Sequence, residues 1–347
     1  MPLARWIGCG KRPRPAGEIS LEPWRISEDD FPAGGTRGEQ IRFLLRYAIL
    51  APSSHNSQPW RFSVSDRHVD VFMDKDRWLT VADADRRELR LSIGCALENL
   101  LIAAEHFGLK HDVAYFPEPG DDDLAATVRF DSDGSPSSVR PPVLFEMIAA
   151  RRTSHMQHDG RSISEDVQKR LRECCVEEGI YLYLTSAVAT KRRIDELIVR
   201  ADLIQFADPA FRRELAYWIG EGVFGTSRLM SKLLKLAVAL VNMGRSQSQR
   251  DSALVMSSPV FGIFGSSGDD RVTHIKMGQV FERMCLLSAS MNLWTQPMSQ
   301  IVELPELRDE VAQIIPERNI VPEHPFRLGY AAPPVPTPRR PLEQVIE

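Results

Sequence analysis

The chain has 347 residues, of which 43% are hydrophobic, with a formal net charge of -4 and an isoelectric point near 6.1. That is enough apolar material for two domains or one large duplicated unit, and it excludes a chain that is disordered throughout. An acidic balance with no long run of Lys or Arg, the short Lys11-Arg12-Pro13-Arg14 patch apart, argues against a nucleic-acid-binding face.

Residues 1–35 are rich in Pro, Gly and charge and read as an irregular N-terminal segment. Within it, Trp6-Ile7-Gly8-Cys9 has the form of a lipoprotein cleavage site but lacks the apolar run that export requires. From Arg37 to Leu50, apolar residues at Ile41, Leu44, Leu45, Ala48 and Ile49 follow helical spacing, and Pro52 ends the run. A polar loop follows. Phe62 and Val64, a turn at Asp66-Arg67, then Val69, Val71 and Met73 alternate as a hairpin. A helix is expected from Asp85 to Phe107, stopped by Gly108, with strands at Val113 to Phe116 and Ala126 to Phe130. These complete a first half over 36–131.

Ser132 to Pro142 has linker composition, and the chain restarts beyond it as a second half over 143–347. Helices are expected over Val143 to Ala150 and Ser164 to Glu178, then a strand over Tyr181 to Leu184. Residues 192–258 have no counterpart in the first half. They read as helices, including Ala210 to Trp218 and Arg228 to Met243, and an excursion of this size is expected to be a lid. An internal repeat supports the restart: at a constant offset of 184, Gly94 meets Gly278, Leu97 meets Phe281, Glu98 meets Glu282 and Leu109 meets Leu293. The prolines between Ala332 and Pro341 forbid helix, so a strand through Phe326-Arg327-Leu328-Gly329-Tyr330 leads to an extended tail.

The segment Ala51-Pro52-Ser53-Ser54-His55-Asn56-Ser57-Gln58-Pro59-Trp60 carries the most chemical information. Two prolines fix its ends, while Ser53, Ser54, Asn56 and Gln58 offer donors and acceptors suited to the edge of a planar heterocycle. It resembles the flavin-contacting loop of the FMN-dependent nitroreductase family, a Pro-Ser-Ser-x-Asn-x-Gln-Pro-Trp stretch after an N-terminal helix. Arg151-Arg152-Thr153-Ser154 is similar to that family's Arg-Arg-Ser-x-Arg fingerprint, with His155 and Met156 where a second basic position is usual. The tail residues Arg339 and Arg340 are similar to the C-terminal arginine that closes over the phosphate. Each basic pair also has a plainer reading, as helix-dipole complement and as solvated tail.

The resemblance is greatest to the fused, two-unit members of the family. It implies an α+β fold, duplicated, with antiparallel-dominated sheets flanked by helices and a helical lid insertion. In ordinary nitroreductases each flavin lies between two subunits; here the loop at Pro52 falls in one half and the arginines in the other. The implied result is one composite FMN site in a monomer that imitates a dimer. Ser53, Ser54 and Asn56 would orient the ring and the arginines hold the phosphate. The implied chemistry is hydride transfer from NAD(P)H, either NADH or NADPH, to a small-molecule acceptor such as a nitroaromatic or quinone, with no catalytic side chain required. A flavin-sequestering protein without turnover, or another flavin reaction on the same fold, remain alternatives.

Other motifs are weaker. Gly262-Ile263-Phe264-Gly265-Ser266-Ser267-Gly268 fits neither a dinucleotide fingerprint nor a Walker loop and reads as a turn after a strand. His155, His158 and Asp159 read as solvated rather than as metal ligands, so no metal is expected. Five cysteines, without a Cys-x-x-Cys pair, predict neither a disulfide framework nor a zinc ribbon and fit a reducing cytoplasm. Leu233 to Met243, the most apolar helical stretch, is too short to span a bilayer, and no membrane partner is expected.

Overall fold

A computed structural model describes residues 19–131, 134–317 and 319–347, with the side chain of Arg228 left aside. The leader-like segment at Trp6 to Cys9 and the basic run at Lys11 to Arg14 lie outside these residues, as do Ser132 and Asp133 of the linker.

The first helix, α1 (Arg37–Ala48), starts at a capping box. Thr36 Oγ1 accepts from Glu39 N at 3.3 Å while Glu39 Oε2 accepts from Thr36 N at 2.7 Å, an arrangement worth about 1 kcal/mol. Its buried face, Ile41, Leu44, Leu45 and Ala48, is the one its periodicity predicts. The hairpin follows as β1 (Trp60–Val64) and β2 (His68–Met73), then α2 (Arg87–His106), β3 (Lys110–Tyr115) and β4 (Leu124–Asp131). These strands form one antiparallel sheet in the order β1-β2-β4-β3. Gly108, at φ +75°, takes the left-handed turn that closes α2.

The second half repeats the plan. Helices α3 (Pro142–Ile148) and α4 (Glu165–Arg172) lead to β5 (Ile180–Thr185), and β6 (Val260–Ser266), α9 (Arg271–Ser290), β7 (Leu293–Pro297), α10 (Pro305–Ala312) and β8 (Val321–Tyr330) follow the excursion. Their sheet has the order β5-β6-β8-β7, strand for strand the order of the first, so the fold is the duplicated α+β arrangement. Between β5 and β6 lie four helices, α5 (Val188–Ala207), α6 (Pro209–Gly220), α7 (Arg228–Leu240) and α8 (Gly244–Ser257).

The repeat read at offset 184 has a direct physical cause. Helices α2 and α9 cross at Gly94 and Gly278: a Cβ on Gly94 would lie 2.0 Å from the Ile275 carbonyl oxygen, and one on Gly278 would lie 2.0 Å from that of Leu91. Leu91 and Ile275 are themselves 184 apart, so the two contacts are mirror copies about a pseudo-twofold axis. Only glycine lets the two backbones meet.

Two expectations change. Gly262 and Gly265 are not in a turn but inside β6, a central strand buried along its length. A Cβ on Gly262 would meet the Phe326 ring at 2.3 Å and one on Gly265 would meet Ile320 Cγ2 at 2.3 Å, so neighbouring side chains fill the space and remove any need for turn-forming freedom. Helix α4 also stops at Arg172 rather than Glu178, because Leu171 is the last residue of the stretch with its face fully buried.

After β8 the tail is extended and crosses to the first half. Arg339 pairs with Ser20 through 3.0 and 2.8 Å backbone bonds, and the last residues add to the free edge of β1, Phe62 N donating to Val345 O at 2.7 Å and Glu347 N to Phe62 O at 2.8 Å. The second half thus covers an edge of the first half's sheet and delivers Arg339 and Arg340 to the polar loop.

Candidate functional site

The loop after α1 is strained. His55 (φ 51°), Asn56 (φ 51°) and Gln58 (φ 52°) are three non-glycine residues in the left-handed region within four positions, at roughly 1–3 kcal/mol each. Surrounding bonds fix it there. Gln58 N donates to Ser53 Oγ at 2.9 Å, Gln58 Oε1 accepts from Arg340 N at 2.7 Å, and Arg77 Nε donates to Ser57 O. Asn56 spends its whole amide: Oδ1 accepts from Arg339 Nη1 at 2.9 Å, and Nδ2 donates to Val223 O at 2.7 Å and Pro338 O at 2.9 Å.

This loop forms one wall of a cavity of about 520 Å³, within the range of small-molecule sites. Pro52, Ser53, Ser54, His55 and Asn56 face it from the first half, with Glu88, Ser92 and Cys95 of α2 beneath. Thr153, His155, Gln296, His324 and Arg339 face it from the second half. The inserted helices roof it with an apolar set, among them Phe206, Phe211, Leu215, Leu234 and Val238, and with Asp202, Gln205, Gln247, Arg250 and Asp251.

At the Arg339 end the charges do not balance. Arg151 Nη2 and Arg339 Nη2 both donate to Leu50 O at 3.1 Å, so two buried guanidiniums share one carbonyl. Arg152 stacks on the Trp24 ring at 3.7 Å, with Arg339 over the same ring at 4.7 Å. The one carboxylate here among the described residues, Glu282 of α9, lies 3.2 Å from Arg151 Nε. Its buried carboxyl is pushed up to about 7 by desolvation, which Arg151 offsets only in part. Burial, then Arg151 and Arg152, holds the Arg339 guanidinium well below its usual range. Arg339 Nε, buried, has no hydrogen-bond partner among the described residues, and Arg151 Nε has only the Glu282 carboxyl beside it. Three cations against one carboxyl that is half neutral near pH 7 is chemistry that fits a doubly charged anion such as a phosphate.

The pseudo-equivalent position is neutralised. Glu98, 184 residues before Glu282, accepts from Arg140 Nε at 2.8 Å and Nη2 at 3.0 Å and from Gln279 at 3.0 Å, with Arg283 3.4 Å away. Arg140 also pairs with Glu105, and Arg283 with Glu177.

Of the residues singled out in the sequence, Pro52, Ser53, Ser54, Asn56, Thr153 and Arg339 line the cavity. Arg151 and Arg152 stand behind Arg339. Gln58, fully buried, braces the loop against Arg340. Ser154 docks the Arg151 segment on β7, its N–H donating to Thr295 O at 2.9 Å. Arg340 is a tether rather than a cavity residue: its guanidinium reaches Asp74 at 3.2 Å and Gln58 O at 3.0 Å. Sequence reasoning did not find the organising role of Arg327. Fully buried in β8, it donates to Ser154 O and Met156 O at 2.8 Å each and to Gln296 Oε1 at 2.8 Å. It also missed His55, whose imidazole burial pulls down to about 4, so that it is neutral at physiological pH; His155, read as solvated, is exposed and touches the cavity at its rim.

No family model matches the chain. Two proteins of Mycobacterium tuberculosis, each carrying the name "Putative NAD(P)H nitroreductase", are 28% identical to it. One matches over 326 residues, 89% of this chain and 91% of its own, and the other over 322 residues, 88% and 94%. A Serratia protein named "Probable NAD(P)H nitroreductase" is 24% identical over 189 residues, 52% of each chain. Among solved structures, an FMN and NADPH-dependent nitroreductase from sphigopyxis sp. strain HMH aligns with a TM-score of 0.40 and 15% identity, over 59% of this chain and 97% of that one. The duplicated chain is similar in sequence, at 28% identity, to two proteins named putative NAD(P)H nitroreductases along 88–89% of its length.

Proposed function

We propose that this chain is an FMN-dependent oxidoreductase of nitroreductase type with one composite site, formed by the loop at Pro52 to Asn56 and the arginines of the second half. The observation that carries this is the uncompensated cluster of Arg151, Arg152 and Arg339 at one end of a 520 Å³ cavity, beneath a strained polar loop. Residues 36–131 and 143–347 are the two units, 132–142 joins them, and 192–258 is the lid.

The residues fit FMN. Arg339, with a free Nε, and Arg151 and Arg152 behind it supply the charge for the phosphate; Ser53 and Ser54 offer hydroxyls to the ring edge. Asn56 acts at one remove, by aiming Arg339. The chemistry that FMN supplies when bound is two-electron hydride relay from NAD(P)H to a nitroaromatic, quinone or similar acceptor. The apolar roof excludes water, and the neutral imidazole of His55 adds a polar contact without adding charge. The free cysteines among the described residues, Cys95, Cys174, Cys175 and Cys285, favour a reducing cytoplasm.

A second reading, flavin sequestration without turnover, draws on one contact: Asn56 Nδ2 pins the lid to the flavin loop through Val223 O at 2.7 Å. The test is direct. Purified protein is titrated with FMN, and NAD(P)H oxidation is then followed with a nitroaromatic acceptor. One FMN per chain with turnover is the expected result; binding without turnover selects sequestration, and two FMN per chain or none overturns the composite site.

A further inference from the structure

The cavity roof has an outward face that the proposed flavin chemistry does not use. Helix α7 turns Ser231 and Val238 inward, 2% and 6% exposed. On its other side Leu229, Leu233, Leu236 and Leu240 are 71%, 56%, 60% and 71% exposed. Spaced i, i+4, i+7 and i+11, they stand within a sector of roughly 60° on the helix. Met230 and Val241 widen the patch. Single exposed leucines are ordinary, whereas four in one stripe on a monomer's surface mark an interaction face.

The charge around the stripe identifies the partner. Between Glu221 and Asp251 the sequence has no Asp or Glu, yet it places Lys232, Lys235 and Arg245 there, in a chain whose net charge is -4. Lys232 and Lys235 are exposed on α7 itself, and Arg245 is exposed just beyond it. A second copy of the chain seated on this face would oppose cation to cation. A bilayer with anionic headgroups satisfies both the leucines and the lysines.

We propose that α7 lies in the plane of an anionic lipid bilayer, its four leucines in the acyl boundary and Lys232, Lys235 and Arg245 among the headgroups. Among the described residues no helix is long and apolar enough to cross a membrane, and at 13 residues α7 needs only to lie on one. The sequence-based expectation of no membrane partner concerned spanning, for which the stretch is too short and is interrupted by Lys235. Because Leu234 and Val238 of the same helix line the cavity, docking sets the cavity roof against the lipid.

The full-length protein is sedimented with phosphatidylglycerol–phosphatidylcholine vesicles and with phosphatidylcholine vesicles. At least about tenfold stronger partition onto the anionic vesicles is expected, weakening as salt is raised. The double variant Leu233→Asp/Leu236→Asp should lose at least about tenfold of that partition with unchanged thermal midpoint. Lys232→Glu/Arg245→Glu, which keeps the stripe, should lose the preference for anionic lipid. Absence of binding to anionic vesicles, or variants that bind them as strongly as the unmodified protein does, overturns the proposal. So does a concentration-dependent dimer that becomes monomeric in the leucine variant, which would give the stripe to a second copy.

Discussion

Glu98 and Glu282 occupy equivalent places on the two crossing helices and titrate in opposite directions. Both are fully buried. Burial alone would raise each, but at Glu98 the guanidiniums of Arg140 and Arg283 outweigh it and the carboxyl is lowered, while at Glu282 burial prevails and the carboxyl rises to about 7. On the Glu98 side each of Glu98, Glu105 and Glu177 is paired with Arg140 or Arg283; on the Glu282 side Arg151, Arg152 and Arg339 meet, among the described residues, that one carboxylate. One duplicated position has become a closed structural network, and the other has kept positive charge in reserve. A buried network in which every charge has a partner has no use for a ligand, whereas a buried cation excess is costly until an anion arrives.

That contrast can be broken from either side. Arg140→Gln should cost about 3–5 kcal/mol of stability by stranding Glu98 and Glu105, seen as a lower denaturation midpoint, with FMN affinity unchanged. Gly94→Ala and Gly278→Ala should each cost about 1–3 kcal/mol or more, since either methyl would be driven into a carbonyl of the facing helix. Equal losses sharpen the pseudo-twofold axis; tolerance of one alone would refute it.

Arg151→Gln should weaken FMN binding roughly tenfold to a hundredfold, on about 1.5–3 kcal/mol for a charge-assisted bond, whereas Arg283→Gln should leave it as it was. The smallest effect is on pH. As pH rises from 7 to 8.5, above the phosphate's second pKa of about 6, Glu282 ionises and competes for Arg151, so FMN affinity should fall a few-fold; Glu282→Gln should abolish the trend. In the apo protein the same window tests stability. Asp83, Asp202 and Glu303 are raised to about 8, and Glu282 and Glu323 to about 7. Acids raised on folding stabilise below their unfolded pKa and lose that contribution as pH climbs through the folded value. The depressed histidines, His55 and His158, act in the opposite sense only below about 6.5. The thermal midpoint should therefore fall between pH 6.5 and 8.5, as calorimetry can read.

The sequence by itself determined the local features. Apolar spacing at Ile41, Leu44, Leu45 and Ala48 spells α1, alternation at Val69, Val71 and Met73 spells β2, and Gly94 and Gly278 at one offset announce the duplication, because period and turn chemistry act over a few residues. The loop at Pro52 to Trp60 was legible for the same reason. What only the tertiary structure decided depends on packing between distant segments. Two adjacent tail arginines have one local sequence context, yet the crossing of the tail onto β1 turns Arg339 toward the cavity and Arg340 toward Asp74. Gly262 and Gly265 read as turn formers until Phe326 and Ile320 fill the space above them. The opposite fates of Glu98 and Glu282 are likewise invisible in sequence, since a carboxyl's charge in the core is set by which guanidiniums reach it through the fold.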